Sequence, residues 1–242
     1  MKLRTNMVFF GFLIILMSWS IPAAAFMGDY ISEMGDDMAV IVNIKSSDID
    51  YESDDDDSGG IDRKIISAGL SKSLSPLVKI FGFINYSFDG ELPINIGSDR
   101  DGSADLESGY GLSVGGSYLF WDQEVFAAQA FGQMNYTFEE TFKYSGINVD
   151  FAFDGYEFLA GVMGIYRLLP EFQIYTALEL VPYSDFSMEI DGSISRDEWD
   201  LKRDQILGVK AGLLYDLETW FVKGEAEIGS EQALGFFGGI KF

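Results

Sequence analysis

Eight charged side chains set in otherwise apolar stretches are the first candidates for chemistry: Lys79, Glu157, Glu179, Lys210, Lys223, Glu225, Glu227 and Lys241. Ammonium and carboxylate groups in such surroundings can pair with one another or exchange protons. Glu225 and Glu227 stand two apart, which puts both carboxylates on one face of a strand. They could serve as acid and base, but the neighbouring lysines suit them equally well for plain charge pairing. A second set is dense in acid: Asp48, Asp50, Glu52 and Asp54, Asp55, Asp56 and Asp57. Carboxylates at this density offer the hard oxygen ligands that Ca²⁺ takes, with Asp54, Asp55, Asp56 and Asp57 as the ligand set. The simpler reading is a solvated, self-repelling loop tip. Asp99, Asp101, Ser103 and Asp105 echo a calcium loop but lack its closing glutamate. Apart from loop-bound Ca²⁺, no cofactor is implied.

Composition removes many other chemistries. The 242 residues contain no histidine and no cysteine. An imidazole base, a Ser-His-Asp triad, a thiolate metal site and a disulfide framework are all excluded. A net charge of −23 argues against nucleic acid, whose phosphates need an electropositive face. A hydrophobic share of 48% argues against disorder. The 27 glycines and 15% aromatics, with only five prolines, suggest many close-packed strands.

The chain opens on Lys2 and Arg4, an apolar run from Met7 to Ile21, and then Pro22 and Ala23-Ala24-Ala25. That order predicts a secretory signal peptide over 1–25, cut after Ala25. The apolar run is too short to span a bilayer as a helix. The expected domain is 26–242, with 26–37 as a periplasmic lead-in.

The remainder reads with a period of two. Tyr110, Leu112, Val114, Gly116, Tyr118 and Phe120 share one parity, and Gly111, Ser113, Gly115, Ser117 and Leu119 the other. Phe126, Ala128, Ala130, Gly132, Met134, Tyr136 and Phe138 likewise oppose Ala127, Gln129, Phe131, Gln133, Asn135 and Thr137. Such alternation predicts strands, and their length exceeds the usual soluble strand. One face is apolar with aromatics near both ends; the other is small or polar. In lipid, a barrel turns the apolar face outward and the polar face inward.

Turn signals and loop lengths give a second argument. Short turns fall at 73–76, 120–123, 168–171 and 216–219, alternating with longer polar connections at 46–62, 93–106, 141–150 and 183–203 and a short one at 230–233. Outer-membrane barrels show this asymmetry, with short turns on the periplasmic side and longer loops outside. Ten strands are predicted, over 38–46, 63–73, 77–92, 107–119, 124–140, 150–167, 171–182, 204–215, 219–229 and 233–242, with eight as the alternative count. Lys79, Glu157, Glu179, Lys210, Lys223, Glu225, Glu227 and Lys241 all fall on the inward parity. Glu157, Glu179, Lys210 and Lys223 sit on successive strands, so cross-lumen pairs are expected. They would form either a polar plug or an ion gate.

The last strand carries a resemblance. Leu234, Phe236, Gly238, Ile240 and Phe242 share one face, ending on phenylalanine. This resembles the C-terminal strand of Gram-negative outer-membrane β-barrels, and the architecture is similar to small barrels of the outer-membrane protein A and X type. The resemblance implies an all-β, antiparallel up-and-down transmembrane barrel. It also implies that Phe236, Ile240 and Phe242 act as an assembly signal for the barrel-assembly machinery. Further implied partners are periplasmic chaperones, outer-membrane lipid and lipopolysaccharide, with the chain as a monomer. Enzymes of such barrels are similar in building sites on histidine with serine or aspartate, which this chain cannot do. The expected function is structural or surface-binding, with a lumen filled by polar side chains. The alternative is a narrow porin-like channel for small solutes or ions.

Overall fold

A computed structural model describes residues 38–53, 58–95, 101–144, 149–192, 196–229 and 231–242. The signal peptide and lead-in expected over 1–37, and the proposed calcium ligands Asp54–Asp57, lie outside the described residues. Among the described residues no helix is long and apolar enough to cross a membrane. The described residues are almost entirely strand: β1 Met38–Ser53, β2 Ser58–Ser75, β3 Val78–Asn95, β4 Asp101–Asp122, β5 Phe126–Tyr144, β6 Val149–Leu169, β7 Phe172–Gly192, β8 Arg196–Arg203, β9 Leu207–Asp216, β10 Trp220–Ile228 and β11 Gln232–Lys241. All neighbours pair antiparallel, and β11 pairs with β1 to close a barrel. Closure leaves no sheet edge to be satisfied by lipid, which cannot hydrogen-bond.

β8 and β9 are two segments of one stave, interrupted at 204–206. β7 pairs with β9 from Phe172 to Leu180 and with β8 from Phe186 to Asp191. β1 pairs with β11 from Ala39 to Asp48, and then with β8 from Tyr51 to Ser53. The β10–β11 hairpin is therefore short. Beside it the barrel has ten strands; beyond its tip β8 crosses to β1 and eight strands remain. Both predicted counts exist, at different heights. At the crossing, Asp204 N donates to Asp50 O at 3.2 Å and Val181 N to Ile206 O at 2.7 Å. The hairpin tip needs Gly229, whose φ of 116° is open to glycine. A Cβ there would also strike the Leu207 carbonyl.

The tight turns lie within a few residues of their predicted places, at one end of the barrel with the start of β1 and the end of β11. The long connections do not survive at their predicted lengths. Most of 46–62, 93–106, 141–150 and 183–203 is strand. The polar residues of these stretches predict connections. Their outer face is charged, but much of the inner face here is apolar: Ile49 and Tyr51, Ile61, Leu92, Ala104 and Leu106, Phe142, Phe151 and Phe153, Phe186 and Met188, and Leu201, in these stretches or just beside them, form one buried cluster.

The outer surface marks where the membrane ends. Apolar side chains cover it over the ten-stranded part, among them Val40, Val42 and Ile44 on β1 and Leu207, Val209 and Leu213 on β9. A band of rings follows: Tyr86 with Tyr110 at 5.4 Å between centroids, Tyr110 with Phe138 at 6.2 Å, Tyr136 with Phe138 at 5.7 Å and Tyr156 with Tyr183 at 5.6 Å. Such rings, apolar in body and polar at the tip, settle at the membrane–water interface. Beyond them the exposed side chains become Asp48, Asp50, Asp62, Lys64, Asp89, Glu91, Asp105, Glu107, Lys143, Asp185 and Asp200.

Candidate functional site

The lumen is the place where charge, burial and geometry converge. Read along its inner face from the tight-turn end, β1 presents Ala39 and Ile41, then Asn43, Lys45 and Ser47, then Ile49 and Tyr51, all buried. β6 likewise passes from Ile165 and Met163 through Glu157 to Phe153 and Phe151. The polar middle holds two clusters of ions.

The first cluster lies on β7, β9 and β10. The Lys210 Nζ stands 2.5 Å from Glu179 Oε2 and 3.2 Å from Glu227 Oε2. Its side chain is fully buried, so both carboxylates serve to neutralise it. Lys223 Nζ lies 3.0 Å from Glu225 Oε2, which also accepts the Tyr175 hydroxyl at 2.5 Å. The same ammonium sits 4.1 Å from the centre of the Phe237 ring, a cation–π contact. Lys241 pairs with Asp216 at 2.5 Å nearer the tight-turn end, and Lys79 is buried on β3.

The second cluster surrounds the level at which ten strands become eight. Arg203 Nε donates to Glu157 Oε2 at 2.6 Å, and Asn135 Nδ2 to Glu157 Oε1 at 2.9 Å. Lys45 Nζ lies 2.6 Å from Glu231 Oε1, which also accepts from Ser47. Arg63 pairs with Glu140. Glu231 sits at the tip of the short hairpin and Arg203 where β8 leaves the stave, so these pairs secure the change in strand number.

Glu179, Lys210, Lys223, Glu225 and Glu227 thus stand together, whereas Glu157 belongs to the second cluster and pairs with Arg203 rather than with lysine. Sequence reasoning missed Lys45, Arg63, Glu140, Arg203 and Glu231. Four of them stand in, or at the margin of, stretches that the sequence predicts as connections, and Lys45 stands near the end of the first predicted strand. The continuing alternation in Asp48-Ile49-Asp50-Tyr51 could have signalled that the strands run on. Phe236, Ile240 and Phe242 share the outer face, Ile240 and Phe242 well exposed to lipid. Asp105 is exposed on β4, and among the described residues no group of three acidic side chains is placed to hold a metal ion.

Two further properties define the lumen. Lys45, Arg63, Lys79, Arg203, Lys210, Lys223 and Lys241 face inward against Glu140, Glu157, Glu179, Asp216, Glu225, Glu227 and Glu231, seven of each sign, and Arg167, on the same face at the tight-turn end, is paired with Asp122 at 2.8 Å. The chain's net charge of −23 therefore resides elsewhere. Rings occupy the remaining space. Phe81 lies over Gly115, Phe83 over Gly69, Phe131 over Gly161, Tyr175 over Gly212 and Phe221 over Gly239, so close that a Cβ on any of these glycines would collide with the ring. Glycine is the only residue that lets a ring lie flat on the neighbouring strand.

No protein-family model matches the chain, and no curated protein matches it. Solved structures do. The outer membrane protease OmpT of Escherichia coli is similar at 11% identity and a TM-score of 0.53, over 88% of this chain and 97% of that one. The outer membrane protein OprG of Pseudomonas aeruginosa is similar at 13% and 0.50, over 85% and 95%. The translocator domain of the autotransporter NalP of Neisseria meningitidis is similar at 9% and 0.51, over 86% and 89%. At such identities the likeness is one of fold. With the closed barrel, the lipid-facing band and the ring girdle, it defines the class: this chain is a transmembrane β-barrel with the fold of Gram-negative outer-membrane proteins.

Proposed function

We propose that this barrel is a non-conducting structural and surface-binding protein of the outer membrane, with the extracellular eight-stranded part as its platform. The observation that carries this reading is the lumen, which is filled by rings seated on glycines and balanced in charge. A conduit for ions would carry an excess of one sign. Eight strands leave an interior just filled by side chains. The absence of histidine supports a non-enzymatic role. Secretion through a cleaved peptide over 1–25, assembly through Phe236, Ile240 and Phe242, and contact with lipopolysaccharide as a monomer complete the proposal.

One observation favours the second reading, a narrow channel. A polar cavity of about 30 Å³ lies among Lys45, Arg63, Asn85, Ser113, Asn135 and Glu157. It has room for about two water molecules. Planar-bilayer recording of the refolded protein separates the two. The structural reading expects an unchanged baseline; discrete conductance steps would replace it with the channel.

A further inference from the structure

The wall carries two kinds of glycine. Five that face the lumen, Gly69, Gly115, Gly161, Gly212 and Gly239, are covered by rings. Gly224 on β10 and Gly238 on β11 face lipid instead, and a Cβ on them would meet nothing nearer than 3.5 Å and 3.9 Å. Packing does not require the missing side chains. Val222 pairs with Gly238 and Gly224 with Phe236, so the two bare positions are adjacent across one strand pair. Together they open a groove of about 450 Å³ on the outer surface, walled by Val42, Ile44, Leu213 and Phe236. Phe172 and Tyr215 form its lower rim, beside the tight turns.

We propose that this groove binds one acyl chain of a phospholipid from the periplasmic leaflet. The groove is continuous with the apolar band that faces the membrane, so lipid is the medium that reaches it. Its lining side chains are apolar, which excludes a headgroup from its depth. Lys223 and Asn43, which border it, are buried on the lumen-facing parity of their strands. The shape selects further: the convex wall of a second barrel cannot enter a concavity, whereas a slender flexible chain can. An unfilled apolar hollow would forfeit the dispersion contacts of its lining. At the lower rim Tyr215 and Trp220 lie 6.0 Å apart between ring centres, at the level where a headgroup would sit.

Native mass spectrometry tests this on the full barrel refolded into phosphatidylethanolamine–phosphatidylglycerol vesicles and extracted in mild detergent. Wild type should retain one phospholipid. Gly224→Leu and Gly238→Leu fill the groove and should lower the retained population several-fold. Gly132→Leu, another open lipid-facing glycine whose Cβ would stand 3.6 Å from the Phe158 ring, should retain it. Heat-modifiable migration checks folding first, and Gly238→Ala serves if the larger side chains prevent it. A wild type without bound lipid would overturn the proposal. So would groove variants that keep it, or equal loss in Gly132→Leu.

Discussion

The ten-stranded and eight-stranded parts of the barrel follow opposite rules on one continuous set of strands. In the ten-stranded part the outer face is apolar, as at Val40, Val209 and Leu213, while the inner face carries Lys210, Glu179 and Glu227. In the eight-stranded part the outer face is Asp48, Asp62, Asp89 and Glu107, and the inner face is Tyr51, Phe153 and Phe186. Those three rings pack with centroids 5.0 to 5.3 Å apart, as in a soluble core. The reversal occurs at the tyrosine girdle, where the solvent outside changes from lipid to water. It teaches that the alternation itself is set by the strand, and the sign of each face by the medium beyond it.

Four measurements can break or sharpen this contrast, each read as unfolding midpoint in detergent or vesicles. The largest effect is expected from Lys210→Met, which leaves Glu179 and Glu227 buried without their cation. Removing one partner of a buried pair costs about 3–5 kcal/mol. Adding Glu179→Gln should recover part of the loss. Lys143→Met, at the half-exposed pair with Glu107, should cost only about 0–1 kcal/mol. Next, Phe153→Ala should cost about 3–5 kcal/mol if the eight-stranded part is held by a soluble-type core; a small change there would deny that core.

The outer faces give the third test. Val209→Lys places a charge in lipid and should cost about 2–4 kcal/mol. Asp62→Lys, beyond the girdle, should stay within about 0.5 kcal/mol. Equal costs at the two positions would erase the boundary drawn here. The smallest effect concerns a ring and its glycine. Gly115→Ala should cost about 1–3 kcal/mol by overpacking against the Phe81 ring and the Gly132 carbonyl. Phe81→Leu should restore part of it, giving a coupling that independent sites would not show.

Much of the membrane half was legible in the sequence. Tyr110 to Phe120 and Phe126 to Phe138 alternate there with an apolar and a polar face, and the inward parity of Lys210 and Glu225 follows directly. The eight-stranded half was harder because its alternation has the opposite sign. Asp48-Ile49-Asp50-Tyr51 was read by its charge density as loop, although its period is still two. The change from ten strands to eight depends on which strand β8 meets beyond the hairpin tip. No local pattern in Arg196–Arg203 encodes that partner. Lys45, Glu231, Glu157 and Arg203 come together only through this crossing, so their association was not visible in the chain.

The contrast and the filled lumen can be tested together on β7. The chain has no cysteine, so single nitroxide labels can be placed without background. Labels at Thr176, Leu178 and Leu180 should collide with oxygen dissolved in lipid, and those at Asp185 and Glu189 with an aqueous nickel complex. Labels at Ala177, Phe186 and Met188, which face inward and are buried, should be shielded from both. That pattern is what an inverted, closed barrel predicts. Free access of the nickel complex to the inward positions would contradict it, because the lumen would then be an open aqueous path.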